Sequence, residues 1–121
     1  MEDEKRSILI ITTHGPDNPE LATLPFIVAN GATVLDAEVT VVLQGPAVFL
    51  AKKGMIENIV CCKWTLKELV EKFVSSGGKI LACSPCLQER NIKEEDLLEF
   101  IRPVGAVEVV DLALKSVVLT Y

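Results

Sequence analysis

The sequence predicts an α/β fold: an open, mainly parallel sheet with helices on both faces, in a flavodoxin-like three-layer arrangement. Three observations point to it. Four short runs rich in Val, Ile and Leu, at residues 7–13, 38–43, 79–83 and 117–121, read as strands, the first two buried on both faces. Helix start and stop signals fall between them, giving the strand–helix alternation of a parallel sheet. Half of the 121 residues are hydrophobic and only 5% are aromatic. A small chain this apolar suits a sheet covered on both sides, an oligomer, or both.

The elements follow in order. Residues 7–13, Ser-Ile-Leu-Ile-Ile-Thr-Thr, form the first strand, and His14-Gly15-Pro16-Asp17 a loop. Asn18, Pro19 and Glu20 open a helix with a capping residue, a proline at the first helical position and an acid in the first turn. Leu21, Leu24, Ile27 and Val28 are its apolar positions, and it is expected to run to about Asn30, where Gly31 stops it. Pro25 inside it predicts a kink or a late start. Residues 38–43 are the second strand, and Gln44-Gly45-Pro46 leads into a short helix ending at Gly54. Residues 56–63 carry no decisive pattern.

Thr65 and Glu68 form a capping box. The helix they open is expected to end near Ser76, before Gly77-Gly78. Residues 79–83 are the third strand. A loop and about one helical turn come next, then a helix with an acidic start over residues 94–101, closed by Arg102-Pro103. Residues 106–116 are expected to be helical in their second half, and residues 117–121 form the last strand. No repeat or linker interrupts the chain, so a single domain over residues 1–121 is expected. A chain of this size buries roughly two-thirds of its unfolded surface and needs no disulfide or metal to do so.

Charge and composition exclude several classes. The net charge is −5, and Lys52-Lys53 is the only basic cluster, so nucleic acid is not an expected partner. No apolar run reaches the ~20 residues of a membrane span. The charged start, residues 1–6, has no apolar signal region behind it, which predicts an unsecreted, cytoplasmic protein. Four cysteines in such a chain are more naturally thiols or ligands than a disulfide framework. Neither a P-loop nor G-x-G-x-x-G is present, and no cofactor is expected.

The chemistry concentrates at Cys83-Ser84-Pro85-Cys86. Function in open α/β sheets gathers at the carboxyl ends of the strands, where Cys83 is expected to sit. A helical turn beginning near Pro85 would aim free N–H groups at Cys83 and favour its thiolate. Cys86, three residues on, is placed to resolve a mixed disulfide, and Arg90 adds positive charge. A C-x-x-C after a strand is a redox signature, and it is also half of a zinc site. The bland alternative is that Cys83 is a small buried hydrophobe.

Three stretches together resemble the DsrE/DsrF-like (sulfur-relay, TusD-related) family. They are Ile8 to Thr13 with Asp17-Asn18-Pro19-Glu20-Leu21-Ala22-Thr23-Leu24-Pro25-Phe26; Ala29-Asn30-Gly31-Ala32 leading to residues 39–43; and Ile80 to Cys83 with Ser84-Pro85-Cys86-Leu87-Gln88-Glu89-Arg90-Asn91-Ile92. The resemblance covers nearly the whole chain. It implies the DsrEFH-like sandwich, with Cys83 matching the family's persulfide-carrying cysteine and Cys86 a second cysteine found in some relatives. It further implies a cytoplasmic homo-oligomer, a trimer or hexamer, that passes sulfur between donor and acceptor proteins. The family's usual Arg-Gly is here Arg90-Asn91, and Asn tolerates the left-handed conformation that a helix end requires.

Other residues are weighed beside these. His14, the only histidine, follows the first strand and so shares an edge with Cys83. It is a candidate to tune the thiol or bind an anion, against the reading of an ordinary loop histidine. Cys61-Cys62 reads as one buried and one exposed thiol, a strained pair for a mutual disulfide, or more remotely as half of a four-thiolate metal site with Cys83 and Cys86. Trp64 is expected to staple against Leu69 or to pack at a subunit interface. Glu94, Glu95, Asp96 and Glu99 are expected to be a solvated helix face. The leading function is a sulfur carrier. The competing readings are a dithiol redox protein cycling Cys83 and Cys86, and a non-enzymatic oligomeric binding module, with structural zinc behind them.

Overall fold

A computed structural model of the protein describes residues 6–121; residues 1–5, which belong to the charged start read above, lie outside the described residues. In chain order the elements are β1 (Ser7–Thr12), α1 (Pro19–Val34), β2 (Glu38–Leu43), 3-10 segments at Gly45–Ala51 and Ile56–Asn58, β3 (Val60–Cys61), β4 (Trp64–Thr65), α2 (Leu66–Ser75), β5 (Lys79–Cys83), α3 (Ser84–Glu89), a 3-10 turn at Glu94–Asp96, β6 (Ile101–Val104), α4 (Ala106–Leu114) and β7 (Val117–Thr120). The main sheet is parallel throughout, in the order β6-β5-β2-β1-β7. β3 and β4 form a separate antiparallel hairpin.

Alternation along each strand divides the core into two layers. Ile8 and Ile10 of β1 join Val39, Val41, Leu43, Ile80 and Ala82 on the face covered by α1 and α2. Leu9, Val42, Leu81 and Val104 occupy the opposite face, against Val109, Leu112 and Ala113 of α4. On the first face Phe26 meets Phe73 edge-on, with ring centroids 6.0 Å apart at 73°. Such a pair stabilises by ~1 kcal/mol beyond the area it buries. The buried Asn30 amide ties the two helices, donating to Leu69 O at 3.1 Å as well as to Phe26 O at 2.9 Å.

The helix boundaries follow from their caps. Asn18 Oδ1 accepts the Leu21 amide at 3.1 Å to open α1. The capping box of α2 closes as read, with Thr65 N to Glu68 Oε1 at 3.0 Å and Glu68 N to Thr65 Oγ1 at 3.2 Å. Gly31 does not end α1, and Pro25 lies inside the helix. The stop is Asp36, at φ 67°. The Asp36 and Ala37 amides bond back to Thr33 O and Ala32 O at 2.9 and 3.1 Å, the paired bonds of a Schellman end. Asn91 does the same for α3 at φ 56°, its amide reaching Gln88 O while Ile92 N reaches Leu87 O, so asparagine fills the left-handed position as the sequence suggested.

The larger correction concerns residues 94–101. They form no helix beyond the turn Glu94–Asp96, and Arg102-Pro103 lies within β6. The backbone of this stretch pairs with the segment after β2: Lys53 N donates to Asp96 O and Leu98 N to Ala51 O, each at 2.9 Å, and Leu97 bridges Lys52. Leu97, in that pairing, and Ile101, at the start of β6 beside Ile80, are both buried. Pro103 is tolerated because β6 is an edge strand, where its missing N–H costs no ladder bond. α4 spans Ala106–Leu114, more than the second half expected.

The two faces are covered unequally. α4 has no fully buried residue and leaves Val107, Val110 and Leu114 exposed; Val117 and Val118 of β7 are exposed as well.

Candidate functional site

The carboxyl ends of β1, β2 and β5 converge on one edge, and the thiol pair sits there. Cys83 is the last residue of β5 and also the N-cap of α3, at φ −60° and ψ 120°. Pro85 near the start of α3 needs no amide partner and turns the chain so that one helical turn returns Cys86 over Cys83. Their Sγ atoms are 2.7 Å apart, and both residues are half-buried.

Neighbouring loops fix the pair. Gly45, at φ 56°, donates its amide to Cys86 Sγ at 3.2 Å. The loop after β1 lies directly on the loop after β2: a Cβ on Gly15 would stand 2.4 Å from Pro46 O. Gly15 is thus required for backbone to approach backbone, and that approach sets where the Gly45 amide points.

Arg90, at the C-cap of α3, donates to Cys86 O at 3.2 Å. Its guanidinium lies over the Phe49 ring, 5.8 Å from the centroid, a cation–π contact that holds the charge near the thiols. Phe49 and Arg90 line a shallow cleft with Pro16, Asp17, Pro46 and Met55.

His14 stands on the same edge but turns to its own loop. Its Nδ1 is 3.0 Å from Asp17 Oδ2, and Asp17 Oδ1 accepts the Gly15 amide at 2.7 Å. The imidazole first and that amide second hold the Asp17 carboxyl below its ordinary range. No hydrogen bond joins His14 to either thiol. Its place in this structure is to order the β1 loop that carries Gly15.

The electrostatics at Cys83 run against the expectation of a ready thiolate. Burial, and then the bond to the Cys86 thiol, push the Cys83 thiol up. The Cys86 backbone amide and the Arg90 charge pull the other way and are outweighed. α3 is only six residues long, so its end supplies few aligned amides to set against desolvation of the anion. Burial and the Cys86 thiol both favour the neutral thiol of Cys83 over its thiolate.

The second cysteine pair lies on the β3–β4 hairpin, outside the main sheet, with Cys61 half-buried and Cys62 exposed. It does not join Cys83 and Cys86: among the described residues no three His, Cys, Asp or Glu side chains come together in a way that would hold a metal ion. Trp64 shares a groove with Leu69, Ile27 and Val34 while remaining 46% exposed. Residues that sequence reasoning passed over are Phe49 and Met55, and the amide of Gly45, taken only as a turn. The one available signal was Gly45-Pro46 directly after a buried strand, at the edge where a site is built.

Comparison with known proteins bears on the fold and the family. The chain is 33% identical over 92 residues to the uncharacterized protein MK0008 of Methanopyrus kandleri, covering 76% of this chain and 74% of that one. Its fold matches the crystal structure of the ychN protein from E. coli with a TM-score of 0.82 at 18% identity, over 96% of this chain and 99% of that one. It also matches MTH1491 of Methanobacterium thermoautotrophicum with a TM-score of 0.72 at 14% identity, over 97% and 100% of the two chains. Among the described residues no helix is long and apolar enough to cross a membrane. The profile of the DsrE/DsrF-like family matches residues 6–121, and the chain belongs to that family.

Proposed function

We propose that the protein carries sulfane sulfur as a persulfide on Cys83 and passes it to a partner thiol. The observation that carries this reading is the Cys83–Cys86 pair, 2.7 Å apart at the carboxyl end of β5, within a chain of the DsrE/DsrF-like family. In loading, the Cys83 thiolate attacks the outer sulfur of a donor persulfide; the new S–S bond replaces the donor's, and the donor leaves as a thiol. In delivery, an acceptor thiolate attacks the outer sulfur and Cys83 leaves as the thiol. Should Cys86 instead attack the inner sulfur, a Cys83–Cys86 disulfide forms and hydrosulfide departs. Arg90 offsets the negative charge that develops at the thiols, and His14 supports the loop beside them.

Assembly belongs to the same proposal. Val107, Val110 and Leu114, spaced three and four apart on α4, make an exposed apolar strip along that helix, the kind of surface that marks an interface. A homo-oligomer, trimer or hexamer, formed through this strip would bury it. A reducing, cytoplasmic setting would keep the thiols available for loading.

The short sulfur–sulfur distance also favours a second reading, a dithiol that cycles through a Cys83–Cys86 disulfide without carrying sulfur. A delivery assay separates the two. Protein treated with a persulfide donor and freed of excess donor is mixed with an acceptor thiol. A sulfur carrier transfers one sulfur per chain, and Cys86→Ser protein transfers it with less hydrosulfide released. A redox dithiol transfers none and instead oxidises the acceptor.

A further inference from the structure

The β3–β4 hairpin is closed by two residues, with Cys61 directly opposite Trp64. The turn residues are Cys62 and Lys63, at φ 61° and 76°. Successive positive φ values are those of a turn that Asn-Gly or Gly-Gly usually supplies, and side chains with a Cβ are strained there. Strained backbone held in place by surrounding structure is a pointer to function. Here the turn brings both sulfurs to one side, 2.9 Å apart.

We propose that Cys61 and Cys62 are a second dithiol site, separate from Cys83 and Cys86, that chelates a trivalent thiophilic centre of the arsenic(III) class. Three features select this ligand. Among the described residues no third His, Cys, Asp or Glu joins the pair, so the centre must be one content with two protein sulfurs, which excludes a structural zinc site with its four ligands. The two sulfurs stand 2.9 Å apart, nearer the spacing of a narrow S–centre–S angle than the roughly 4.6 Å of a linear two-coordinate soft cation, twice a ~2.3 Å metal–sulfur bond. A pyramidal trivalent centre binds two sulfurs at a narrow angle and keeps its third substituent facing solvent, and Cys62 is exposed. In the reaction an arsonous acid, R–As(OH)2, exchanges two As–O bonds for two As–S bonds. The two thiol protons leave in two waters, and nothing is oxidised or reduced.

Trp64 is the only tryptophan and lies across from Cys61, so its emission reports on the hairpin. The test uses reduced protein carrying Cys83→Ser and Cys86→Ser, titrated with phenylarsine oxide and followed by Trp64 emission and intact mass. The expected result is one adduct per chain with a saturable emission change. Adding Cys61→Ser to that background should weaken binding at least ten-fold, through loss of the chelate, and circular dichroism checks that each variant is folded. Three results would overturn the proposal: no adduct in the Cys83- and Cys86-free protein, an adduct equally tight without Cys61, or a Cys61–Cys62 disulfide that persists under reductant.

Discussion

The Gly45 amide donates to the Cys86 sulfur at 3.2 Å, so the segment after β2 holds the second thiol of a pair that the end of β5 and the start of α3 supply. Gly45 does this at φ 56°, a region in which an L-residue is destabilised by about 1–2 kcal/mol. Gly45→Ala should lower stability by roughly that amount in chemical denaturation and also change the rate at which Cys86 is alkylated. An unchanged rate in a folded variant would show that the amide does not act on the sulfur.

Two other glycines make opposite predictions. At Gly15 a methyl group meets Pro46 O at 2.4 Å, backbone that cannot swing aside, and Gly15→Ala should cost about 1–3 kcal/mol by overpacking. At Gly31, inside α1, a methyl group meets nothing within 4 Å. Gly31→Ala should therefore stabilise the protein by roughly 0.5–1 kcal/mol through helix propensity. Denaturation midpoints of the two variants check both signs.

The pH dependence of Cys83 follows from its surroundings. Its thiol is pushed up by burial and by the Cys86 thiol, so its alkylation should rise at higher pH than that of a free cysteine near 8.5. Cys86→Ala removes the side-chain bond and the repulsion while keeping the backbone amide, and should move the midpoint down. Arg90→Ala removes a stabilising charge and should move it up. Alkylation rates against pH, read by mass spectrometry at Cys83, test all three directions.

The apolar strip predicts assembly. Val107 and Leu114 are 86% and 82% exposed, so Val107→Glu with Leu114→Glu should alter the stability of an isolated chain little, as surface changes usually do. In an oligomer built on this strip the same pair buries charge and should dissociate it. Light scattering on wild type and variant decides the matter, and identical masses for the two would exclude this surface.

The fold was legible where one residue type has one physical use. Asn18-Pro19, Thr65 with Glu68, and the β-branched runs each marked an element that the structure contains. It was less legible where tertiary pairing outvotes local pattern. Residues 94–101 begin with acids as a helix would, yet their backbone bonds to the segment around Lys52, and only the folded chain supplies that partner. Gly31 read as a stop, but the Schellman end came from Asp36, a residue whose left-handed preference is weaker than glycine's. At the site, Cys83 and Cys86 were visible as a spacing. Their distance, the Gly45 amide and the Phe49–Arg90 contact come from loops that meet only at the sheet edge. Burial and the neighbouring thiol push the Cys83 thiol up, an effect that the spacing of the two cysteines alone does not reveal.

The central claim rests on Cys83, and the most direct measurement is the intact mass of reduced protein before and after a persulfide donor, beside Cys83→Ser and Cys86→Ser. The account predicts a gain of one sulfur in wild type and in Cys86→Ser, with no gain in Cys83→Ser. A gain that survives Cys83→Ser, or none in wild type, would contradict it.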